Sequence, residues 1–366
     1  MNVLHLNTER SWRGGEWQTL LLARALSDHG IRSSIGCRRG APLADHAREN
    51  QLPIVPLGGD ALSTSVGLAR AARDFDLIHC HTGRAHSLAA VTALWHRKPV
   101  IVTRHIELRP PSTWFNRYKF RKAAAVVGVS EAVTAQLRSW GAPAETLRTI
   151  PYGVPPLKTN PQRAQDLRRR LGIDPAQTVI GTIGALVDHK AHEVLLRAAQ
   201  RVARGRSDVR FVIVGEGKRE PELARLRGEL GLERVVEFAG YVPQAAECLP
   251  AFQVFALSSN MEGLPNVILE AFGAGVPVAA TAASGTPQLV RDGQTGLLVP
   301  VGDDAALAKA ILRLIDDPAL AQRVAAAARR YVETEFTLDR MAERYRAVYE
   351  EVLGRAGGTE GTRSVA

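Results

Sequence analysis

Short runs of valine, isoleucine and leucine alternate with longer amphipathic stretches from the first residues onward. In the first half of the chain, this pattern predicts a helix over 16–29 and strands over 2–8, 33–37, 77–80, 100–103 and 125–129. Apolar strands that alternate with amphipathic helices are typical of a parallel sheet covered by helices on both faces. We therefore expect the first half of the chain to form an α/β domain.

The alternation breaks around residues 150–173 and then resumes. Pro155-Pro156 and a polar, basic stretch interrupt the pattern, so we interpret this segment as the connection between two domains. Beyond it, the pattern predicts strands over 179–183, 210–214, 235–238, 254–257, 278–280 and 296–299, and helices over 304–316, 319–335 and 338–353. The predicted domains are 1–155 and 172–336.

The composition of the 366 residues fits two globular domains. Hydrophobic residues make up 45% of the chain, but no apolar run approaches the roughly 20 residues that a membrane-spanning helix needs. The first residues have no basic leader and are predicted to form a strand, so we expect a cytoplasmic protein. Cys37, Cys80 and Cys248 are odd in number and far apart, which argues against a disulfide framework or a cysteine metal site.

Positive charge is concentrated in the first half of the chain. The net charge is +10, and residues 1–156 contain 20 Lys and Arg but only 11 Asp and Glu. Such an excess attracts an anionic partner, which can be a membrane surface, a nucleic acid or a phosphorylated substrate. An ordinary solvated face has the same composition.

The segment Glu262-Gly-Leu-Pro-Asn-Val-Ile-Leu-Glu270 is the most informative part of the sequence. Pro265 is well suited to begin a helix, which puts Glu262 on the preceding loop and Glu270 inside the helix, so that both carboxylates face one crevice. Amides at the start of a helix have no intrahelical partner and attract anions. The amides concerned are those of Leu264, Asn266 and Val267. We therefore predict a seat for a diphosphate, flanked by carboxylates that accept hydrogen bonds from ribose and sugar hydroxyls.

Other short motifs stand in a fixed order around this segment. They are Gly14-Gly15, Val129-Ser-Glu-Ala-Val133, Ile150-Pro-Tyr-Gly-Val154, Gly184-Ala-Leu-Val-Asp-His-Lys190, Val214-Gly-Glu-Gly217, Phe238-Ala-Gly-Tyr-Val242 and Gly293-Gln-Thr-Gly-Leu-Leu-Val299. Together these motifs cover nearly the whole chain, which resembles the retaining glycosyltransferases of family 4. The resemblance implies the GT-B fold, in which two Rossmann-like domains with parallel sheets face each other across a cleft. It also implies that the C-terminal helix, about 338–354, packs back on the first domain.

The resemblance further implies a reaction and a donor site. The reaction is transfer of a sugar from a nucleotide-sugar donor of the UDP or GDP type, with retention of the anomeric configuration and without a metal or other cofactor. Lys190 is expected to neutralise the departing diphosphate, Glu262 to contact the sugar, and Glu270 to bind the ribose. The other implied donor contacts are Gly15, Gly184, Gly215, Glu216, Val242, Gly263, Leu264, Asn266 and Val267.

Two positions depart from the family pattern. Most members have arginine where this chain has Ala185, and glycine where it has Ala191. A missing guanidinium removes bidentate phosphate recognition, which we expect His189 to replace only in part.

Histidines follow or occupy two strands of the first half. Arg104 and His105 follow the strand 100–103, and the resemblance implies that His105 contacts the donor sugar and takes part in catalysis. His79 and His81 alternate onto one face of the strand 77–80, a spacing that serves metal sites and buried structural histidines alike. We do not predict a metal, because no Asp-x-Asp pair lies at the end of a strand.

The segment 110–122 mixes basic and aromatic residues. They are Trp114, Phe115, Arg117, Tyr118, Lys119, Phe120, Arg121 and Lys122. This mixture suits the interface of an anionic bilayer, although a helix with its aromatics packed inward has the same composition. We expect these residues and Arg104 to face a membrane or the acceptor, on the cytoplasmic side of the inner membrane. No nucleic-acid partner is predicted, because no nucleic-acid-binding fold surrounds the segment.

The sequence thus predicts a glycosyltransferase of cell-envelope glycan assembly, with a lipopolysaccharide core or a lipid-linked saccharide as acceptor. The main alternative is an enzyme of the same fold that epimerises or hydrolyses a nucleotide sugar, as the 2-epimerases do. A non-catalytic binding module is a third possibility, which only the Ala185 departure favours.

Overall fold

The computed structural model describes residues 1–58, 61–106 and 113–360, which form two compact units. The N-terminal unit contains Met1–Gly153 and the chain from Thr337 onward, whereas the C-terminal unit contains Val154–Phe336. The chain therefore leaves the first unit, completes the second, and returns to the first.

Each unit is built on one parallel sheet. The strands, in chain order, are β1 (Asn2–Leu6), β2 (Arg32–Arg38), β3 (Ile54–Leu57), β4 (Leu77–Cys80), β5 (Val100–Arg104), β6 (Ala125–Gly128), β7 (Leu147–Thr149), β8 (Thr178–Ile183), β9 (Val209–Val214), β10 (Val236–Gly240), β11 (Val254–Leu257), β12 (Val278–Thr281) and β13 (Leu297–Val299). The strand orders are β3-β2-β1-β4-β5-β6-β7 and β10-β9-β8-β11-β12-β13. In both sheets the first strand lies in the interior, and the chain builds outward on one side of it before it returns to the other side.

Helices connect the strands. They are α1 (Gly14–Asp28), α2 (Pro42–Glu49), α3 (Ala61–Ala71), α4 (Gly83–His96), α5 (Trp114–Lys122), α6 (Glu131–Ser139), α7 (Pro161–Arg170), α8 (His192–Gly205), α9 (Glu220–Glu229), α10 (Asn266–Gly273), α11 (Thr286–Leu289), α12 (Asp304–Asp316), α13 (Pro318–Glu335) and α14 (Leu338–Glu360). Thr82, Ser130 and Asp303 cap α4, α6 and α12 by accepting a hydrogen bond from an amide of the first turn. Every residue of β4 and β6 is buried, as expected of strands covered on both faces.

Helix α14 completes the core of the N-terminal unit. Tyr345 and Tyr349 lie in the same hydrophobic cluster as Val3 of β1 and Leu77 of β4. The Tyr349 hydroxyl is also 2.7 Å from Nδ1 of His79 in β4. The last helix of the chain is therefore part of the interior of the first unit.

The prediction of two α/β units with parallel sheets is confirmed, with differences in detail. The predicted strands occur within a few residues of their expected bounds, and the predicted helices correspond to α1, α10, α12, α13 and α14, whereas β3, β7 and the other helices were given no predicted bounds. The segment 150–173 is not only a connection, because it contains α7, which belongs to the C-terminal unit.

Gly181 in β8 provides a test of how closely the C-terminal core is packed. A Cβ on Gly181 would lie 2.2 Å from Cδ2 of the buried Phe252 ring. We expect Gly181→Ala to lower the free energy of unfolding by about 1–3 kcal/mol, because a close-packed core accommodates an added methyl group only by shifting. Chemical denaturation measures this change. Gly205→Ala is the control, since a Cβ there meets nothing within 4 Å, and equal stability of the two variants would contradict the packing argument.

Candidate active site

The strand order of the C-terminal unit brings two distant loops together. β8 and β11 are neighbours in the sheet, but the chain leaves β8 toward β9 and leaves β11 toward β12. The loops that follow β8 and β11 therefore begin side by side at the carboxyl edge of the sheet and then run in opposite directions. Open parallel sheets bind ligands in the crevice at such a point. Lys190 follows β8 and Glu262 follows β11, so the fold explains why these residues meet.

Lys190 and Glu262 form a short, largely buried ion pair. Nζ of Lys190 is 2.6 Å from Oε1 of Glu262, and the side chains are 17% and 9% exposed. The same Oε1 accepts a hydrogen bond of 2.6 Å from the Ser259 hydroxyl. A charge-assisted pair with a second hydrogen bond holds both side chains in one geometry.

The backbone of the two loops is linked as well. The Ser258 hydroxyl donates to the carbonyl oxygen of Lys190 at 3.1 Å, and the Asn260 amide donates to that of His189 at 2.8 Å. The Thr281 hydroxyl, at the end of the neighbouring strand β12, donates to the carbonyl oxygen of Ser259 at 2.5 Å. The Lys190–Glu262 pair is thus supported by bonds among three adjacent strand ends.

Helix α10 begins directly after this loop. Pro265 is its N-cap, and the flanking Leu264 and Val267 are buried. The first amides of a helix have no intrahelical partner and carry partial positive charge. The predicted anion seat thus lies at the N-terminus of a real helix, and the role of the Leu264, Asn266 and Val267 amides stays a prediction.

Glu270 lies one turn into α10 and is half-buried. Burial raises the pKa of its carboxyl group to about 7, because an ionised carboxylate is poorly solvated there. Among the described residues, the Glu270 side chain has no hydrogen-bond or ion-pair partner. A hydroxyl-bearing ligand would therefore supply the hydrogen bonds that this carboxylate lacks.

Packing explains the two glycines of the Val214-Gly-Glu-Gly217 motif. A Cβ on Gly215, whose φ is +136°, would lie 2.1 Å from the carbonyl oxygen of Gly184, and one on Gly217 would lie 2.4 Å from that of Leu186. These glycines let two strand-end loops approach each other. The Glu216 side chain is exposed and Val242 is half-buried, so both are accessible to a ligand.

The Ala191 departure has a conformational cost. Ala191 has φ +47° and ψ +46° at the N-cap of α8, in the left-handed region that favours glycine. Ala185, the other departure, lies in the same β8–α8 loop and is half-buried. The chain thus keeps the loop conformation without the residue best suited to it.

In the N-terminal unit, the structure brings Gly15 and His105 together. A Cβ on Gly15 would be 3.7 Å from Cγ of His105, which is ordinary van der Waals contact. Both ring nitrogens of His105 have partners, since Nδ1 is 2.8 Å from the Tyr152 hydroxyl and Nε2 is 3.3 Å from Nδ1 of His81. Burial, with the nearby Arg104 charge, lowers the pKa of His105 to about 3. His105 is therefore a neutral, oriented imidazole at neutral pH.

A row of histidines extends behind His105. Nε2 of His81 is 3.1 Å from Nδ1 of His5, and Nε2 of His5 is 3.3 Å from the Ser33 hydroxyl. Each neutral ring has one donor and one acceptor nitrogen, so the His5, His81 and His105 tautomers depend on one another along the row. Burial lowers the pKa of His5 to about 3 and that of His81 well below its usual value.

His5, His79 and His81 are close enough to hold a metal, since ligand atoms of the three lie within 4.8 Å of one another. However, His79 is already bonded, with Nδ1 at 2.7 Å from the Tyr349 hydroxyl and Nε2 at 2.7 Å from that of Thr103. The nitrogens of the other two rings are also hydrogen-bonded within the row. The arrangement fits buried structural histidines, because a metal would have to displace these bonds.

The basic aromatic segment has an exposed side and a buried side. In α5, Trp114 is 77% exposed and stacks on Tyr118, while Arg117, Arg121 and Lys122 are exposed and Phe115 is half-buried. Residues 110–112 of the predicted segment lie outside the described residues.

The assignment of Lys119 to this exposed surface is wrong. Lys119 and Phe120 are buried against α4, where the Lys119 ammonium donates to the Ser87 hydroxyl at 2.9 Å. Burial, with the nearby Arg104 charge, lowers the pKa of Lys119 to about 8. Arg104 is half-buried behind the first turn of α4, so it does not belong to the exposed surface either.

The sequence reasoning missed several residues of these sites. Ser259 donates a hydrogen bond to the Glu262 carboxylate. Its position two residues after an apolar strand could have indicated a site residue. Tyr152 lies inside a motif that was noted only for its pattern, although its hydroxyl orients His105. On α4, Leu94 and Trp95 are 85% and 65% exposed, and their position just before Arg97-Lys98 was a second basic and apolar signal.

Within the described ranges, no helix combines the length and the apolar character that crossing a bilayer requires.

Comparisons with solved structures identify the fold class of the chain. The structure of Anabaena HepE in complex with UDP-glucose superposes with a TM-score of 0.86 at 24% identity, over 96% of this chain and all of HepE. The lipopolysaccharide outer core galactosyltransferase WaaB superposes with a TM-score of 0.72 at 15% identity, over 96% and 100% of the two chains. With two parallel-sheet units and such neighbours, the chain has the GT-B fold, and the predicted fold class is confirmed.

The sequence comparisons identify the family. Residues 12–156 match the model described as Glycosyltransferase Family 4, and residues 177–317 match the model described as Glycosyl transferases group 1. The alpha-maltose-1-phosphate synthase of Mycobacterium tuberculosis is 30% identical over 80% of this chain and 83% of its own length. The chain therefore belongs to the group 1 glycosyltransferases of family 4.

Other relatives match over less of their length. The alpha-D-kanosaminyltransferase of Streptomyces kanamyceticus is 31% identical over 66% of this chain and 64% of its own length. A lipopolysaccharide core biosynthesis glycosyltransferase of Rhizobium meliloti is 34% identical over 49% of this chain and 51% of its own. The chain thus spans about half to two thirds of these curated relatives.

The raised pKa of Glu270 predicts how stability changes with pH. A carboxyl group with a pKa of about 7 when folded and near 4.5 when unfolded lowers stability as it ionises, because the folded state holds the proton more tightly. The penalty is absent below the unfolded value, grows between the two values and is complete above the folded one. We expect Glu270→Gln and the wild type to have similar free energies of unfolding at about pH 4, and the variant to be more stable at about pH 8. Urea denaturation at both pH values measures this difference.

Glu233→Gln, which removes an exposed carboxylate of the same unit, is the control. A Glu270→Gln variant whose stability relative to the wild type is the same at both pH values would contradict the assignment of a raised pKa.

Proposed function

We propose that the protein is a retaining glycosyltransferase that transfers a sugar from a nucleotide-sugar donor to an acceptor glycan of the cell envelope. The observation that carries the proposal is the buried Lys190–Glu262 pair at the ends of β8 and β11, close in sequence to the N-terminus of α10 and to Glu270, whose side chain has no partner among the described residues. These groups supply what a nucleotide sugar needs, namely a cation and amides for the diphosphate and carboxylates for hydroxyls.

The donor diphosphate is assigned to Lys190 and the first amides of α10. An ammonium and a helix N-terminus are both attracted to phosphate oxygens. Because Lys190 is bonded to Glu262 at 2.6 Å without a ligand, an incoming diphosphate has to share or replace this bond. The pair therefore keeps the ammonium in position and leaves Glu262 free to accept a bond from a sugar hydroxyl when the phosphate arrives.

Glu270 is assigned to the ribose. A carboxylate accepts hydrogen bonds from two neighbouring hydroxyls, and the Glu270 side chain has no protein partner among the described residues. HepE, which has the same fold, was crystallised with UDP and with UDP-glucose. This supports a nucleotide-sugar donor of the UDP type.

The chemistry follows from the charges that develop when the sugar–phosphate bond breaks. Positive charge grows at the anomeric carbon and negative charge grows on the departing diphosphate. Lys190 and the α10 amides stabilise the diphosphate, and Glu262 stabilises the sugar. The acceptor oxygen bonds the anomeric carbon on the face that the phosphate leaves, and the acceptor proton passes to the leaving phosphate oxygen. The configuration is thereby retained, and we expect the reaction to need no divalent metal or other cofactor.

His105 is assigned to positioning the donor sugar from the N-terminal unit. Its ring is neutral at neutral pH because burial lowers its pKa to about 3, and its orientation is set by Tyr152 and His81. A neutral imidazole adds no positive charge near a carbon that itself becomes positive. Its part in the reaction is therefore steric and orienting.

Several relatives and one surface support an acceptor in the cell envelope. Two relatives are named as lipopolysaccharide core biosynthesis enzymes, and another as a phosphatidylinositol monomannoside mannosyltransferase. Trp114, Arg117 and Tyr118 of α5 are exposed, and aromatic and basic groups together favour the interface of an anionic bilayer. We propose a peripheral location on the cytoplasmic face of the inner membrane.

Loss of either member of the buried pair tests the proposed reaction. We expect Lys190→Met and Glu262→Gln each to lower turnover about 10²–10³-fold, because each removes a charge that stabilises the transition state. The assay measures sugar transfer from UDP- and GDP-sugars to lipopolysaccharide-core acceptors. Lys218→Met is the control, since Lys218 is an exposed lysine of the same unit that pairs with Asp188.

The products distinguish the proposal from its alternative. Retained configuration at the new linkage supports the transferase, whereas an epimer or free sugar formed without an acceptor supports the epimerase or hydrolase. Full turnover in a folded Lys190→Met or Glu262→Gln variant would contradict the roles assigned here.

The exposed face of α5 predicts binding to anionic vesicles. We expect a variant carrying Arg117→Gln and Arg121→Gln to bind phosphatidylglycerol vesicles about 30-fold more weakly, since each basic residue near such a surface contributes about 1 kcal/mol. Vesicle flotation measures the bound fraction. The control is a variant carrying Arg73→Gln and Arg138→Gln, which removes the same charge from exposed sites of the same unit. Wild-type binding that does not depend on anionic lipid would contradict the proposed location.

A further inference from the structure

A cavity in the N-terminal unit is lined by residues that the sequence analysis did not assign to the donor. Its volume is about 380 Å³, and it is lined by Thr8, Glu9, Arg10, Ser11, Arg38 and Arg84. Thr8 to Ser11 follow β1, Arg38 ends β2, and Arg84 lies in the first turn of α4, which follows β4. The three segments are far apart in sequence and meet because β1 lies between β2 and β4 in the sheet.

The cavity wall is held by hydrogen bonds. Nε of Arg38 donates to the carbonyl oxygen of Thr8 at 3.1 Å. The hydroxyls of Thr8 and Thr82 are 2.8 Å apart, and Thr82 also caps α4 by accepting from the Ala85 amide at 3.1 Å. The loop after β1 and the start of α4 are thereby fixed against each other. This is the topological switch point of the sheet, where the chain leaves β1 and β4 in opposite directions.

The charges around this cavity are unbalanced. Among the described residues, Arg10, Arg38 and Arg84 form no ion pair with a carboxylate, whereas Arg206 and Arg219 of the C-terminal unit pair with Asp208 and Glu193. Burial, followed by the like charges of Arg84 and Arg10, lowers the pKa of Arg38, and only the nearby Glu9 raises it.

Further positive charge lies behind the first turn of α4. Nη1 of Arg104 is 3.0 Å from the position that a Cβ on Gly83 would occupy. The ammonium of the buried Lys119 is 3.4 Å from the carbonyl oxygen of Gly83. Among the described side chains here, basic groups therefore outnumber acidic ones, and guanidinium groups that converge on a cavity recognise planar anions well.

We infer that this cavity binds an anionic group, a phosphate or a carboxylate, that belongs to the acceptor. The inference rests on the proposed function, which assigns the donor diphosphate to Lys190 and α10 in the C-terminal unit. The acceptor is the other substrate of that reaction, so an anion held by Arg38 and Arg84 is part of it. The site therefore selects a phosphorylated or acidic acceptor over a neutral saccharide.

Calorimetric titration with inorganic phosphate tests the inference, using the full chain saturated with UDP. We expect the wild type to bind phosphate, and Arg38→Gln with Arg84→Gln to weaken binding by about tenfold or more, because each arginine supplies a charge-assisted contact. Arg73→Gln, an exposed arginine of the same unit outside the cavity, is expected to bind phosphate as the wild type does. If the double variant does not fold, Arg84→Gln alone serves, since Arg84 is exposed and has no described partner.

The outcomes separate this inference from the proposed function. Phosphate binding that is lost in the double variant supports the anion site in the cavity, whether or not sugar transfer is observed. A protein that binds UDP and transfers sugar but binds no phosphate would overturn the proposed anion site and leave the proposed transferase function intact. Phosphate binding that is equal after both arginines are removed would have the same consequence.

A second measurement distinguishes the source of the anion. Binding to phosphatidylglycerol vesicles that depends on Arg38 and Arg84 would assign a lipid phosphate to the cavity. Phosphate binding together with vesicle binding that is independent of these arginines would assign a phosphate or carboxylate on the glycan. Only the second outcome supports an anion on the acceptor, whereas the first would overturn that assignment and make the cavity a contact with the membrane lipid.

Discussion

The switch point of a parallel sheet is the constraint on which both candidate sites depend. A parallel strand always ends at the same edge of its sheet, and a chain that builds first to one side and then to the other separates the loops of two neighbouring strands. In the C-terminal unit these strands are β8 and β11, and Lys190 meets Glu262 between their loops. In the N-terminal unit they are β1 and β4, and the arginine-lined cavity lies where they end.

Burial shifts the pKa values of Glu270 and His105, which lie near the candidate sites. Lys190 and Glu262 remain close together as an ion pair, with Ser259 as a second partner of the carboxylate. In the part of the chain that the structure describes, Glu270 has no such partner, and burial raises its pKa to about 7. In the N-terminal unit, burial lowers the pKa of His105 to about 3, which makes the ring a neutral group. Burial thus favours the neutral form of Glu270 and His105, whereas Lys190 and Glu262 lie together as an ion pair.

Periodicity predicted the fully buried strands β4, β6, β11 and β12 but missed both edge strands of the N-terminal sheet. The strand 77–80 was predicted with the bounds of β4, because each of its residues is buried. β3 contains Pro56 and is only partly buried, as an edge strand is, and β7 has three residues, so neither has a readable pattern.

For the candidate sites, the sequence indicated individual residues but not the contacts between them. The family motifs indicated roles for Lys190 and Glu262, but no pattern showed that they bond each other across 72 positions. Lys119 was misassigned because nearly every residue of α5 is basic or aromatic, which hides its buried face. The unpaired arginines of the cavity come from three segments that only the strand order unites.

The return of α14 has a separate consequence for biosynthesis. Tyr345 and Tyr349 fill the interior of the N-terminal unit, so a ribosome releases every residue of the C-terminal unit before the first unit receives its last helix. The unit whose synthesis begins first is therefore the one whose core is completed last.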